Sequence, residues 1–306
     1  MKKNNSKGLL ATIRKVFQKI IGIREWRKEL DTLHDEVATL HYFLNAYHDC
    51  SSAPPTSNSD LRIMQLCDAE LLRIVTRECE KLGITYWLDY GTLLGAVRHK
   101  GFIPWDDDMD IAMPRSDYNR VFTELKDCLN QYGIELYDNL GNIGVGYEHS
   151  KTGIWLDIFA VDDFYTDKGL EETTAYLKEV VPQYRKEFET NIDIVTIEWL
   201  ENKRQTIIGG STGPFRVLYH QPEFRYKVIT HSERIVYPLS TIEFENKVFK
   251  APNDVNSYLK VNYGENFMGF PRTGVLHHDR GRGALSSWAK NNGIDMNDVL
   301  SYLRGI

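Results

Sequence analysis

Four aspartates crowd into five residues at Asp106, Asp107, Asp108 and Asp110. So dense a set of carboxylates beside Trp105 and Ile111 is costly unless a cation neutralises it. On an extended strand residues i and i+2 share a face, so Asp108 and Asp110 project together while Met109 and Ile111 turn to a core. Their Cα atoms then stand about 6.5–7 Å apart, close enough for the two side chains to clasp one or two hard cations. A further carboxylate, Asp157, interrupts the apolar run Trp155-Leu156-Asp157-Ile158-Phe159. If that run is a strand beside the first, Asp108, Asp110 and Asp157 converge as metal ligands. The trio suits Mg²⁺ (or Mn²⁺) and two-metal phosphoryl or nucleotidyl transfer, in which both attacking and leaving oxygens are stabilised.

Upstream, Gly91-Thr92 forms a glycine turn opening a helix, where backbone N–H groups and a hydroxyl can hold phosphate. Arg98, His99 and Lys100 add cationic groups between that turn and the acids, and Arg98 and Lys100 are placed to grip a pyrophosphate. Trp87, Tyr90, Trp105 and Trp155 surround the acids in sequence. As open faces they would attract a quaternary ammonium; as core residues they pack.

These groups need elements to position them. Leu61–Leu82 has the periodicity of a helix, with Asp60 as its cap and Gly83 as its stop. The run 84–90 reads as a buried strand, 91–99 as a short helix, 108–113 as the acid-bearing strand, 116–132 as a helix and 154–161 as the strand carrying Asp157. Later strand character spans 235–248, and helices are expected over 253–263 and 297–303. Strands and helices mix without strict alternation, so the fold class is α+β, a mixed α/β domain rather than a doubly wound sheet.

The chain has 306 residues, with 37 basic and 43 acidic side chains and a formal charge of −6. That balance argues against nucleic acid as a partner. Residues 1–24 nevertheless carry seven Lys or Arg and no acid, with apolar residues from Leu9 to Ile21 at helical spacing. This is a basic amphipathic helix suited to contact with an anionic membrane surface. Leu30, Leu33, Val37, Leu40, Leu44 and Tyr47 follow at heptad steps, suiting either a homodimer seam or an intramolecular helical hairpin. Residues 51–60, with a Pro-Pro pair and no apolar period, form a linker between an N-terminal helical region, 1–50, and a catalytic domain, 61–306. No apolar run reaches bilayer-spanning length, and the basic start lacks a cleavage site, so we expect no export. Cys50, Cys67, Cys79 and Cys128 match no metal or redox spacing and read as reduced thiols.

The stretch Tyr90–Pro114, YGTLLGAVRHKGFIPWDDDMDIAMP, closely resembles the signature of the LicD family, which includes the fukutin-type proteins. The resemblance continues through Asp157 and into Phe244–Phe267, FENKVFKAPNDVNSYLKVNYGENF, and covers most of 61–280; residues 1–58 and 165–235 carry no motif that matches. It implies a nucleotidyltransferase-like fold. It also implies transfer of a phospho-substituent from a CDP-activated donor to a glycan, phosphocholine from CDP-choline and ribitol phosphate from CDP-ribitol being examples. Carried over by position, Gly91-Thr92 fall on the family's glycine turn, Asp108 and Asp110 on its acid pair and Asp157 on its third acid. Asp106 falls on the first acid of its P-W-D-x-D-h-D string, with Asp107 in the variable place. His277-His278, after Tyr263-Gly264, match its histidine pair, although the residues between are looser than its pattern.

We therefore expect catalysis by Asp106, Asp108, Asp110 and Asp157, with substrate held by Gly91, Thr92, Arg98, Lys100, His277 and His278. The expected acceptor is a glycan or lipid-linked glycan of cell-surface polysaccharide, teichoic acid or lipopolysaccharide. The expected location is cytoplasmic, peripheral on the inner face of the membrane. Two other readings stay open. One is a glycosyltransferase or other nucleotidyltransferase using a nucleotide-sugar through Asp108-Met109-Asp110. The other is a non-catalytic membrane-associated scaffold, against which four retained acids speak, because an inactive domain gains stability by losing them.

Overall fold

The computed structural model describes residues 5–138, 142–190, 196–208, 212–220, 228–271, 289 and 291–306. The chain divides into two units, Met1–Cys50 and Ser51–Ile306. The first contains one long helix, α1 (Asn5–Tyr47). The basic head and the heptad segment are continuous within it, so the hairpin that sequence spacing also allowed does not form. No proline interrupts the run, and Gly8 and Gly22 weaken a helix without ending it. Among the described residues no helix is long and apolar enough to cross a membrane.

The second unit opens with α2 (Ser59–Leu82). Its cap is Asn58 rather than the expected Asp60: the Asn58 side chain accepts from the N–H groups of Asp60 and Leu61. Asp60 instead sits inside the first turn, where its charge favours the helix dipole. Gly83, at φ +64°, ends the helix in the left-handed conformation.

A mixed sheet follows, built from β1 (Trp87–Leu88), β2 (Asp110–Pro114), β3 (Ile134–Asp138), β4 (Asn142–Tyr147), β5 (Leu156–Thr166), β6 (Phe215–His220) and β7 (Ile229–Ser232). The strand order is β1-β2-β5-β4-β3, with β6 joined to β5 and β7 to β6. β2 and β5 run parallel and the other pairs antiparallel. The helices are α3 (Tyr90–His99), α4 (Arg115–Tyr118), α5 (Lys126–Asn130), α6 (His149–Thr152), α7 (Leu170–Thr190), α8 (Ile197–Ile208), α9 (Glu233–Val236), α10 (Val255–Tyr263) and α11 (Met296–Gly305). A hairpin, β8 (Ser240–Phe244) and β9 (Lys247–Ala251), completes the unit. The fold is therefore mixed α/β.

Two local expectations change. The helix expected over 116–132 is broken into α4, a wide turn at 121–125 and α5. The strand character expected over 235–248 starts only at Ser240, since Ile235 and Val236 lie in α9, and it forms a hairpin that turns at Glu245-Asn246, whose φ values of +47° and +60° are those of a two-residue turn.

The main core joins Leu71, Leu72 and Ile74 of α2 to Trp87, Ile111, Leu156 and Ile158 of the sheet. Arg73 and Cys67 of α2 donate to carbonyls of α11, tying the C-terminal helix to the same core. A second apolar cluster, Leu177, Val181, Leu200 and Ile207, packs α7 and α8 against Tyr219 of β6.

Candidate functional site

Parallel pairing of β2 with β5 sets Asp110 directly beside Asp157. The start of α3 is stitched to the same point. Asp89 donates its N–H to the Asp110 carbonyl at 3.0 Å. Gly91 donates its N–H to Asp110 Oδ2 at 3.2 Å, and Thr92 Oγ1 accepts from the Asp110 N–H at 2.8 Å. A Cβ at Gly91 would stand 2.7 Å from Asp106 Oδ2, so any side chain there would have to push that carboxylate aside. The neighbouring Tyr90 sits at φ +35°, a costly conformation for a non-glycine residue and one that recurs at functional sites. From α2, Gln65 donates to the Asp106 carbonyl at 2.8 Å and fixes the acid loop from behind.

The carboxylates lie close together. Asp106, Asp107 and Asp110 are buried and Asp108 is half-buried. One oxygen from each of Asp106, Asp107 and Asp108 falls within 4.8 Å of the others. Burial first, then the charges of Asp108, Asp157, Asp106 and Asp89, hold the Asp110 carboxyl well above the ordinary carboxylate range. Tyr263 is 43% exposed as a residue, yet its hydroxyl is pushed above the ordinary tyrosine range by its local surroundings and then by Asp110, Asp89, Asp106 and Asp108. An all-oxygen donor set this compact fits a hard divalent cation. This compact group shares only Asp108 with the expected metal set: Asp106 and Asp107 stand with Asp108, while Asp110 is paired with Asp157 across the strands.

Asp157 is oriented by two donors: Asn142 Nδ2 at 2.6 Å and Trp155 Nε1 at 2.9 Å both reach its Oδ1. The Trp155 indole lies over Gly144 of β4, where a Cβ would come within 1.9 Å of the ring. Behind the glycine turn is a buried polar chain that sequence reasoning missed. Trp87 Nε1 donates to Tyr258 Oη at 3.0 Å, and Tyr258 donates to Asp89 Oδ1 at 2.9 Å. His220 Nε2 stands 3.1 Å from the same hydroxyl, and its Nδ1 lies 3.4 Å from Asp89 Oδ2. The signal in the sequence was slight: an acid at a strand end just before a glycine turn.

The cationic residues are placed otherwise than their spacing suggested. Arg98 is buried, donates to the carbonyls of Phe267 and Gly269 at 3.3 and 3.0 Å, and donates to His99 Nε2 at 3.1 Å. Its guanidinium ties α3 to the segment after α10. Lys100 is exposed at the far end of α3, about 13 Å along the helix axis from Gly91. Of the aromatics, Trp87 is fully buried and hydrogen-bonded, which removes it as a ligand face, whereas Tyr90, Trp105 and Trp155 keep partial exposure. His277 and His278, with Arg272, lie outside the described residues.

Fold and site together define a mixed α/β domain organised around carboxylates in the loop that leads into β2 and at the paired positions Asp110 of β2 and Asp157 of β5, joined to a glycine-opened helix; the strand expected over 108–113 begins only at Asp110, so Asp108 lies outside it. A family profile described as LicD/FKTN/FKRP, nucleotidyltransferase domain, matches residues 83–254, from the end of α2 to the start of α10. The chain belongs to this family. The match includes Asp106, Asp108, Asp110 and Asp157, and it runs through 165–235, where the sequence alone showed no motif.

Similar proteins include the lipopolysaccharide cholinephosphotransferase LicD of Haemophilus influenzae, 52% identical over 81 residues, or 26% of this chain and 31% of that one. The human ribitol 5-phosphate transferase FKRP is 25% identical over 195 residues, 64% of this chain and 30% of its own length. The mouse ribitol-5-phosphate transferase FKTN is 28% identical over 120 residues, 38% of this chain and 24% of its own. The chain thus spans under a third of the length of each of these relatives.

Proposed function

We propose that the second unit transfers a phospho-substituent, phosphocholine or a polyol phosphate, from a CDP-activated donor to a hydroxyl of a glycan or lipid-linked glycan. The observation that carries this reading is the junction of Gly91, Asp106 and Asp110. A glycine whose Cβ would displace the Asp106 carboxylate lies against the acids, and Asp110 is charged only against burial and like charge. Sites that hold such costs tend to serve ligand binding or catalysis.

In this reading Asp108, Asp110 and Asp157 hold Mg²⁺ or Mn²⁺, with Asp106 and Asp107 close enough to share the load. The bound ion supplies charge neutralisation on the donor pyrophosphate and on the leaving CMP. Gly91 and Thr92 keep Asp110 in register with α3, while Trp155 and Asn142 keep Asp157 aimed. The acceptor oxygen bonds to the phosphorus next to the substituent, the bond from that phosphorus to CMP breaks, and Asp106 or Asp157 takes the hydroxyl proton. A phosphocholine donor would bring a quaternary ammonium near Tyr90, Trp105 and Trp155, whose rings already have Phe159, Phe270 and Tyr137 as neighbours. The basic residues of 1–24 bring the enzyme to an anionic membrane surface on the cytoplasmic side, near a lipid-linked acceptor.

The test is incubation with CDP-choline or CDP-ribitol, acceptor and Mg²⁺, following CMP release. We expect release that Asp110→Ala abolishes; equal release from wild type and Asp110→Ala would sink the assignment. Thermal stabilisation by UDP-sugars but not by CDP-alcohols would favour the glycosyltransferase reading. For the membrane, a Lys15→Glu/Lys19→Glu variant that floats with phosphatidylglycerol vesicles as well as wild type does would count against it.

A further inference from the structure

The exposed apolar side chains of α1 form a pattern that neither the carboxylate site nor the family match uses. Trp26, Leu30, Leu33, Val37, Leu40, Leu44 and Tyr47 are all exposed, from 43% at Leu44 to 73% at Tyr47. Their spacing alternates strictly between four and three residues, so they occupy successive core positions of a heptad repeat on one continuous helix. A stripe of two positions in seven is the width of a coiled-coil seam, narrower than the apolar face of a helix that packs on a globular core.

The residues flanking this seam carry opposite character on its two sides. On one side stand Arg27, His34 and His41, and on the other Glu29 and Glu36, followed at the same heptad position by the exposed Phe43. In a parallel, in-register pair each flanking residue of one helix faces the residue five positions on in the partner. Glu29 then meets His34 of the second copy, and Glu36 meets its His41, twice over by symmetry. An antiparallel pair would set basic against basic and acid against acid. Parallel pairing thus sets each glutamate against an imidazole that can donate to it and keeps Glu29 and Glu36 from facing one another, and flanking residues of this kind choose orientation in coiled coils.

The same segment, 26–47, holds four acids against Arg27 and Lys28, which disfavours an anionic bilayer as its cover. His41 also contacts Asn45 on its own helix at 3.2 Å, one turn away, which orients its ring along the helix edge. We infer that residues 26–47 of α1 form a parallel, in-register coiled coil with a second copy of this chain. This rests on the first unit alone and is independent of the proposed transferase activity.

The experiment uses the full chain. Sedimentation equilibrium at micromolar concentration should give twice the 35.5 kDa mass of one chain. Leu33→Lys/Leu40→Lys should weaken dimerisation by roughly a hundredfold, because it places charges in the apolar seam. Circular dichroism and the melting of the second unit should stay as in wild type. Leu33→Cys and Leu40→Cys, made singly with Cys128→Ser, should each crosslink on oxidation. An antiparallel pair can bring at most one of these positions to its own symmetry mate. A monomeric wild type overturns the inference, as does a dimer indifferent to the lysine pair or crosslinking at only one of the two positions. Loss of both crosslinks on adding phosphatidylglycerol vesicles also overturns it, by assigning the seam to a bilayer.

Discussion

Two of the three acids on strand β5, Asp157 and Asp162, keep opposite company. Asp162, 1% exposed, lies between Arg115 Nη2 and Arg204 Nη1, each at 2.8 Å, and Arg204 is bonded in turn to Glu201. That cluster is balanced and joins the end of β2 to β5 and to α8. Five residues earlier, Asp157 lies beside Asp110, and the charges acting most strongly on Asp110 are all negative. Both arrangements lose hydration on folding. In the first, ion pairing within the fold offsets the loss. In the second, like charge adds to it. One strand thus separates charge that holds the structure together from charge kept at a cost for a ligand.

The largest expected effect breaks or upholds that distinction directly. Asp162→Asn should lower unfolding free energy by about 3–5 kcal/mol, since it leaves two buried guanidinium groups without their shared carboxylate. Asp110→Asn at neutral pH should cost no stability, because it removes a repelled charge. Its transferase rate should nevertheless fall by roughly 10²–10³-fold, the scale of losing one charge-stabilising group in an active site. Urea titrations of both variants provide the measurement. Similar losses of stability in the two would mean that Asp110 is a structural anion like Asp162.

A smaller effect probes how finely the repelled cluster is positioned. Gly91→Ala places a Cβ 2.7 Å from Asp106 Oδ2, at the tip of a side chain that can swing aside. Stability should change little. The shifted carboxylate should cut kcat about 100-fold, the scale of misplacing a catalytic group by an ångström. An unchanged kcat in an assay saturated with donor would show that Asp106 is not held in place by the glycine turn.

The two clusters also differ in how far they could be read in advance. The acids at 106–110 and the glycine turn were visible because they depend on local spacing, and Asp157 because an acid interrupts an apolar run. The meeting of Asp110 with Asp157 rests on the pairing of β2 with β5, and Asp108 lies just before β2 rather than on its face. Asp162 drew no attention, because its partners Arg115 and Arg204 are 47 and 42 positions away and only the fold brings them in. The same distance effect misled the reading of Arg98. Its spacing suggested an anion grip, yet its donors go to carbonyls some 170 residues on, at Phe267 and Gly269. Trp87 sat in an aromatic-rich segment that suggested a ligand face, but β1 is a two-residue strand wholly inside the core. Region 165–235 showed no motif because its order comes from α7 and α8 packing on β6, an apolar arrangement that many sequences satisfy. Sequence spacing also left open whether the head and heptad of α1 fold back, which their continuity in one helix decides.

The last prediction concerns a third kind of buried titratable group, one kept neutral, and its effect is the smallest. His231 of β7 is fully buried and stacked on Tyr258 at 4.1 Å between ring centroids. Burial first, then the charge of His220, push its pKa well below 6.5, while the neighbouring Asn262 side chain acts the other way. Tyr258, on its other side, is held protonated by burial and by the Asp89 charge, so no ionised group faces the ring through that contact. The sign follows from linkage. Below 6.5 the unfolded chain takes a proton on His231 that the folded chain refuses, so stability is present above that pH and is lost as pH falls. The loss should approach about 1.4 kcal/mol per pH unit while only the unfolded state is protonated. His231→Phe keeps the stacking and removes the proton site, so the difference between variant and wild type should grow from pH 6.5 to 5.5. Parallel curves would mean that His231 protonates within the fold, and that the chain behind Asp89 carries charge as the carboxylate cluster does.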